Sequence, residues 1–223
     1  LAFKVKVENL TDGHNVPTGF AAERLIFMQV TVMDSTGKTI FKSGDYDPNG
    51  DVRDHESAYV INGDLPLDDQ LFDLRGRILV TNSRGGERER VIPVPYPITT
   101  IPFLRPTTRS LILTGESPVE RIHRRSLAPL AHKWAKYKVD GDLLTGKGPY
   151  KAKMDFIAGM APANLIGAIK NRGFDYGMSA REVAGNVAAG YEVLASKELV
   201  FDVEGGENVM QTSFLDSILD IFK

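Results

Sequence analysis

The sequence predicts a mainly β protein: an antiparallel β-sandwich of the immunoglobulin-like kind, with a helical hairpin and a C-terminal amphipathic helix. Three observations support this prediction. The chain opens with strict alternation of apolar and polar residues, which is typical of a half-buried strand. Short strand-like runs then recur at a spacing of roughly 8 to 12 residues, as in β-sandwiches. After about residue 160 the apolar residues instead recur at helical spacing.

The N-terminal region predicts an antiparallel meander. Residues 2–9 place three apolar side chains on one face and the charged side chains between them on the other. The longer apolar run Leu25–Met33 ends at a hairpin-type turn, and Thr39–Lys42 resumes the strand.

Further short strands are predicted along the chain, separated by Asn-Gly, Arg-Gly and Gly-Gly turns. They are Ala58–Ile61, Leu71–Leu74, Arg77–Thr81, Arg90–Val94, Ser110–Leu113, Trp134–Val139 and Tyr150–Ile157. Five prolines between residues 93 and 106 forbid a central strand there, because each removes a backbone donor. That segment is predicted to be an extended crossover.

Two helices are predicted after residue 160. Pro162 stands at a first helical position, and Gly173 can end the helix in the left-handed conformation. The second helix opens at Ser179, with Glu182 three residues later completing a capping box. The pair forms a helical hairpin.

A return strand, Glu198–Val203, and an amphipathic helix, Phe214–Phe222, are predicted to complete the chain. Such a terminal helix docks either on its own domain or on a partner. We therefore expect a β-sandwich domain over residues 1–160. Residues 161–223 would form the helical hairpin, return strand and C-terminal helix, packed on the sandwich.

Composition excludes several classes of protein. The 27 Lys and Arg residues nearly balance the 29 Asp and Glu residues, giving a net charge of −2, which does not indicate nucleic acid or an anionic membrane as partner. No run approaches the ~18 apolar residues of a membrane-spanning helix. The chain begins at Leu1 rather than at methionine, so we expect a processed or partial product.

The sequence offers little support for an independent enzyme. Because there are no cysteines, thiol nucleophiles, disulfides and covalent attachment of haem c are all excluded within these residues. The four histidines show no His-Glu-x-x-His spacing, and neither a Gly-x-Ser-x-Gly elbow nor a phosphate-binding P-loop occurs.

An acidic segment, residues 45–56, matches the spacing of a calcium-binding loop. Its predicted ligands are the side chains of Asp45, Asp47, Asn49 and Glu56 and the carbonyl of Asp51, with Gly50 at the sharp turn. Strand-like flanks and Pro48 argue against a true EF-hand. The alternative is a solvated acidic hairpin loop built from Asx turns.

The segment from Gly13 to Phe20 contains one histidine, His14, together with Pro17 and two glycines. A single histidine is commonly a structural hydrogen-bonding group, but a stiff loop lowers the entropy cost of ligation. The sequence leaves the two roles open.

Basic clusters at residues 84–90 and 121–125 are either salt-bridged solvated faces or sites that recognise carboxylates.

Several blocks of the sequence resemble one known family. They are Gly13-His14-Asn15-Val16-Pro17-Thr18-Gly19, Val30–Asp34 with Gly37-Lys38, Ser43–Gly50, Arg84–Glu89, Leu113–Gly115, Thr145–Tyr150 and Gly173–Ser179. Together they resemble the β-rich carboxy-terminal region of bacterial multihaem c-type cytochromes, which contains a GHxxPTG motif. In that family the region follows an array of Cys-x-x-Cys-His motifs, and this chain contains none.

The resemblance implies a secreted electron-transfer component, periplasmic or at the cell surface, without catalytic turnover of its own. His14 becomes the candidate axial ligand to a haem c attached outside this chain, and His55 is the second candidate. Arg84, Arg88 and Arg90 are candidates to pair with haem propionates. The implied partner is a multihaem cytochrome chain or an upstream haem domain, and a homo-oligomer or filament is a further expectation.

Two hypotheses of different class follow. In the first, this haemless domain packs on a multihaem cytochrome and ligates or shields a haem through His14. In the second, it is a calcium-stabilised β-sandwich module for binding or assembly at the cell surface, with His14 purely structural.

Overall fold

A computed structural model describes residues 1–18, 24–82, 86–91, 111–112, 115–116, 120–123, 125–144, 148–170, 173, 175–202 and 209–213. Twelve strands lie in this described part: β1 Ala2–Glu8, β2 Leu25–Met33, β3 Thr39–Ser43, β4 Arg77–Asn82, β5 Gly86–Val91, β6 Leu111–Ile112, β7 Gly115–Glu116, β8 Glu120–His123, β9 His132–Lys138, β10 Tyr150–Gly159, β11 Glu192–Phe201 and β12 Val209–Ser213. The helices are α1 Ala58–Ile61, α2 Ala163–Lys170 and α3 Ala180–Ala189, with a short 3-10 helix at Gly141–Leu143.

Two sheets contribute to the main core. The first has the strand order β12-β1-β9 and the second the order β11-β10-β2-β3. All pairings in these sheets are antiparallel except that of β1 with β12, which is parallel. Two smaller antiparallel sheets, β5-β4-β8 and β6-β7, complete the described strands.

Period-two alternation explains why the two main sheets share one core. On β1 the side chains of Phe3, Val5 and Val7 are buried, and the residues between them are partly exposed. These three join alternate residues of β2, β9, β10 and β11 in a single buried cluster. The prediction of a mainly β fold is confirmed, whereas the immunoglobulin-like connectivity stays a prediction.

Two of the predicted short strands are wrong. Ala58–Ile61 forms the helix α1, because the Ser57 side chain accepts a hydrogen bond from the Val60 amide and so caps a helical turn. Leu71–Leu74 is an irregular segment in which Asp73 makes a single bridge to Phe27. A run of four mainly apolar residues therefore did not distinguish a helical turn or a connecting segment from a strand.

The predicted helical hairpin is confirmed. Helices α2 and α3 contact each other, and Ser179 and Glu182 form the capping box at the start of α3.

Strand β11 begins six residues before the predicted return strand, at Glu192, and pairs with β10 along its length. The domain division at residue 160 stays a prediction. The predicted crossover at 93–106 and the C-terminal helix at 214–222 lie outside the described residues.

The outer face of the second sheet is covered at one end by the acidic segment. Leu25, Phe27 and Ile157 form a second buried cluster with Val52, and Tyr46 and Tyr191 pack against it. The Phe27, Tyr46 and Tyr191 rings have centroids 5.8 to 6.4 Å apart. No described helix is long and apolar enough to cross a membrane.

Candidate functional site

Two loops contain the residues that the sequence marks as candidate ligands. The His14 loop, residues 10–18, connects to the segment that precedes β9. Val16 and Leu127 exchange backbone hydrogen bonds of 2.9 and 2.8 Å. Asn9 is 2% exposed, and its amide nitrogen lies 2.9 Å from the carbonyl of His14, 3.2 Å from that of Leu127 and 3.1 Å from that of Ala128. Asn9 therefore anchors the loop through backbone groups.

The His14 side chain is exposed although its backbone is held. Its ring nitrogen Nδ1 lies 3.0 Å from the carbonyl oxygen of Asn15. A carbonyl oxygen can only accept, so this contact assigns the proton of the neutral ring to Nδ1. The other nitrogen, Nε2, then presents its lone pair, which is the form in which imidazole binds a metal.

An exposed leucine lies beside the His14 loop. Leu130 is 66% exposed and has a φ angle of 55°, a left-handed conformation that leucine rarely adopts. Its amide donates to the Thr11 carbonyl at 3.2 Å. Residues 10–18 and 127–131 together form one surface, which we call the His14 end. Sequence reasoning missed Leu130 and Asn9, because neither belongs to a recognisable pattern.

The acidic loop, residues 45–57, is built from Asx-turn hydrogen bonds. One carboxylate oxygen of Asp47 accepts from the Asn49 amide at 2.7 Å and from the Asp51 amide at 3.1 Å. The other accepts from the Ser57 hydroxyl at 2.6 Å. Gly50 has a φ angle of 82°, and a Cβ atom there would lie 3.2 Å from the Ala184 carbonyl oxygen of α3. The predicted turn chemistry is present, but Asp47 and Asp51 are buried rather than solvated.

Most of the predicted calcium ligands bind protein groups. Asp45 forms an ion pair of 2.7 Å with Arg53, and the predicted carbonyl ligand of Asp51 accepts from the Asp47 amide at 2.8 Å. The Asp51 side chain accepts from the Asn164 amide at 2.8 Å. Glu56 forms an ion pair of 2.5 Å with Arg75, and the Asn49 side chain is on the exposed side of the loop. In the described part of the chain, no group of three or more His, Asp or Glu side chains is placed to hold a metal ion.

Arg75 is the residue that sequence reasoning missed in this region. It is 1% exposed and is the largest fully buried side chain among the described residues. Its ion-pair partner Glu56 has a side chain that is only 6% exposed. Because a buried cation stabilises buried carboxylates, Arg75 supplies a positive charge that the calcium prediction had assigned to a metal. No sequence pattern indicated that residue 75 would lie against this loop.

Burial also changes the protonation of the acidic loop. The pKa of Asp51 is raised to about 7, chiefly by loss of solvation. The charges of Asp47 and Asp54 contribute to the rise, whereas the Asn164 amide and Arg75 oppose it. Desolvation likewise raises the pKa of Tyr46 to about 12. These shifts follow from a packed interior and need no ligand.

The remaining candidates are dispersed. His55 is exposed on the turn that precedes α1. Arg88 and Arg90 lie on β5, where the backbone alone is described, and Arg84 lies outside the described residues. From the second basic cluster, Arg125 contacts Asp73 at 2.8 Å, so it pairs with a carboxylate of its own chain. The structure does not bring the predicted haem-contacting residues into one described site.

Comparison with known proteins yields one solved structure. The chain is similar to a penta-heme cytochrome c552 from Thermochromatium tepidum, with 15% sequence identity and a TM-score of 0.45. The match covers 89% of this chain but 35% of that protein. At this identity and TM-score, the likeness supports no inference about fold or function. No family model and no curated protein matches the sequence.

Proposed function

We propose that this chain is a haemless domain or subunit of a multihaem c-type cytochrome, and that His14 is an axial ligand to a haem c attached to other residues. The observation on which the proposal depends is the geometry of His14. Its ring is exposed, and Nδ1 lies 3.0 Å from the Asn15 carbonyl oxygen. In the neutral ring this contact places the proton on Nδ1 and leaves the lone pair on Nε2. Ligating histidines commonly make such a contact, since it fixes the tautomer and the ring orientation.

The surroundings of His14 fit this role. Asn9 and the Val16–Leu127 bridge hold the backbone of the loop, so less conformational entropy is lost when the ring binds a metal. The exposed Leu130 offers apolar surface at the His14 end, which suits contact with the flat apolar macrocycle of a haem. A haem with two nitrogen ligands supplies a one-electron couple with little reorganisation at the iron.

The cofactor must be attached elsewhere under this proposal, since the chain contains no cysteine. The partner is therefore a multihaem cytochrome chain or a haem domain of the same protein. The proposed location is periplasmic or at the cell surface, as the family resemblance implies, and we propose no independent catalytic activity. His55 remains a second candidate ligand, supported by its exposure alone.

A haem c peptide that supplies one axial histidine tests the proposal directly. Its iron lacks a strong sixth ligand, so binding of Nε2 would produce the absorbance spectrum of low-spin haem. We expect the wild-type protein and the matched variants His55→Ala and His132→Ala to give this spectrum, and His14→Ala to lose it. His132 is a suitable control because it is also exposed.

Two outcomes would contradict the proposal. If His14→Ala gives the same titration as the wild type, another group ligates the iron. If the wild-type protein gives no low-spin spectrum while the same concentration of free imidazole does, His14 is not available as a ligand. Circular dichroism of each variant shows whether the fold is retained.

The calcium-stabilised module gains no support from the described residues. Asp45, Asp47 and Glu56 each bind a different protein group. Arg75 lies among the predicted ligands as a buried cation. Calcium requires about six to eight oxygen ligands that converge on one point.

A further inference from the structure

The free edge of the first sheet has the properties of a strand-binding site. Strand β9 lies at one end of the order β12-β1-β9, and no described strand pairs with its outer edge. Leu1 and Val139 exchange two backbone hydrogen bonds of 2.8 Å, and the Asn9 amide donates to the Ala131 carbonyl at 2.9 Å. Because backbone groups alternate in direction along a strand, the odd-numbered residues of β9 bind β1.

The even-numbered residues of β9 therefore direct their N–H and C=O groups away from β1. At Lys138 both groups are already bound by the Gln70 side chain, whose amide accepts from the Lys138 N–H at 2.6 Å and donates to its carbonyl at 3.1 Å. Gln70 thus pairs with the edge much as a strand would. His132, Trp134 and Lys136 present the same donor and acceptor groups along the rest of the edge.

The side chains along this edge are basic and aromatic. His132, Trp134, Lys136 and Lys138 are exposed on the outer face of the sheet, and Trp134 is 38% exposed. The His132 and Trp134 rings contact edge to face, with centroids 6.1 Å apart. An exposed tryptophan beside lysines is unusual on a surface that serves only solvation.

Cross-strand register concentrates positive charge on this face. Lys4 of β1 lies directly opposite Lys136, and Lys6 lies opposite Trp134. Like charges directly opposite each other are unfavourable, and an anionic neighbour relieves the repulsion. Lys6 also pairs with Glu8 at 2.9 Å, which leaves Lys4, Lys136 and Lys138 as the excess charge.

We propose that the outer edge of β9 binds an extended acidic segment of a partner protein by strand addition. Backbone pairing would supply the binding energy, and alternate carboxylates facing Lys136 and Lys138 would supply the specificity. Lys4 lies one strand further away, on β1, and adds to the positive potential of the face. A second copy of this chain is not the occupant, because edge-to-edge pairing of two β9 strands would bring two basic edges together without an acidic side chain between them. The proposal does not depend on haem ligation by His14.

A six-residue peptide of alternating valine and glutamate, blocked at both ends, is the probe. Trp134 is the chain's single tryptophan, so its fluorescence reports binding at this edge without labelling. We expect saturable binding that weakens with added salt. A valine–lysine peptide should not bind. A valine–glutamate peptide methylated on alternate backbone nitrogens should bind at least tenfold more weakly, because it lacks the ladder donors of one edge.

Charge-reversal variants locate the site. Lys136→Glu with Lys138→Glu should weaken binding about tenfold, since two attractive contacts of β9 become repulsive. The matched control is Lys38→Glu with Lys42→Glu, which changes the net charge equally at two exposed lysines, one in the β2–β3 connection and one on β3. The control should bind the peptide as the wild type does, and thermal melts should show that both variants fold.

Three results would overturn the proposal. Undiminished binding of the methylated peptide would show charge attraction without strand pairing. Equal weakening by the two double variants would show that the site lies elsewhere. Binding of an acidic polysaccharide such as alginate, together with no binding of the acidic peptide, would identify a different class of ligand.

Discussion

The His14 loop and the acidic loop both match ligand-binding patterns in sequence, yet they fold in opposite ways. In the His14 loop the stabilising contacts are made by backbone groups and by Asn9, and the His14 side chain stays exposed. In the acidic loop the candidate side chains make the stabilising contacts themselves, as Asp47 does with Ser57 and Glu56 with Arg75. A candidate ligand is available only where other groups hold its loop in place.

Replacement of Arg75 should lower the stability of the protein more than any other change at the two loops. Arg75→Met leaves Glu56 as a buried carboxylate without its cation, and we expect a loss of about 3–5 kcal/mol in the free energy of unfolding. Urea denaturation measures the loss. The matched control is Arg53→Met, since the Arg53–Asp45 pair is partly exposed and should cost at most about 1 kcal/mol. Equal losses would show that Arg75 is not the cation on which the acidic loop depends.

The two loops should respond independently to this change. Under conditions where Arg75→Met remains folded, we expect its titration with the haem c peptide to match that of the wild type, because the contacts of His14 include none from the acidic loop. A weakened titration in the folded variant would mean that the two loops are coupled.

The Asp51 carboxyl should make stability depend on pH. Its pKa is raised from 3.8 to about 7 in the folded protein, so the folded state binds the proton more tightly than the unfolded state does. The stability from this proton is complete below pH 4 and is lost as the pH rises towards 7. Above pH 7 the charged Asp51 carboxylate lowers the free energy of unfolding, relative to its value below pH 4, by on the order of 4 kcal/mol. Asp47, Asp54 and Arg75 are the charged groups that act on Asp51.

Asp51→Asn isolates this contribution. Asparagine keeps an oxygen that can accept from the Asn164 amide but has no charge to bury. We therefore expect the variant to be more stable than the wild type at pH 8, and the advantage to disappear by pH 4. Urea denaturation at pH 4 and at pH 8 measures the difference in the free energy of unfolding between the variant and the wild type. An advantage of the same size at both would exclude titration of Asp51 as its cause.

Loss of Asn9 should loosen the His14 loop. Asn9→Ala removes the side-chain donor to the carbonyls of Leu127 and Ala128, which keep the backbone donors Val16 and Ala131, at a cost of about 1 kcal/mol. It also removes one of the contacts that hold the His14 backbone, so the haem c peptide should bind more weakly. The control is Asn49→Ala, an exposed asparagine of the acidic loop. A destabilised Asn9→Ala protein with unchanged affinity for the haem peptide would show that preorganisation of His14 is unimportant.

Local patterns predicted much of the fold. Alternation located β1, a long apolar run located β2, and the Ser179–Glu182 capping box located the start of α3, because each depends on residues close together in sequence. Ala58–Ile61 was mistaken for a strand, since four apolar residues fit either period and the Ser57 cap decides the outcome. The parallel pairing of β1 with β12 joins the two ends of the described chain, and no local pattern specifies it.

The candidate site was only partly predictable for the same reason. The motif identified His14, but its tautomer depends on a carbonyl contact and its rigidity on Asn9. The spacing of the acidic loop fits both calcium coordination and Asx turns, because both use carboxylates at alternate positions. The contact between Glu56 and Arg75, nineteen residues further on, distinguishes the two roles, and it exists only in the folded chain.

Calcium should have the smallest effect of all on this protein. A ligand that binds only the folded state at a hundred times its dissociation constant adds about 2.7 kcal/mol to stability, which would raise the melting temperature by about 5–10 °C. Binding at the acidic loop would first require Glu56 to leave Arg75 and Asp47 to leave Ser57, so we expect no shift between millimolar calcium and chelator. Glu56→Gln should behave identically in both solutions. A calcium-dependent rise that Glu56→Gln abolishes would instead show that the acidic loop rearranges to bind the ion, and the contrast with the His14 loop would then be lost.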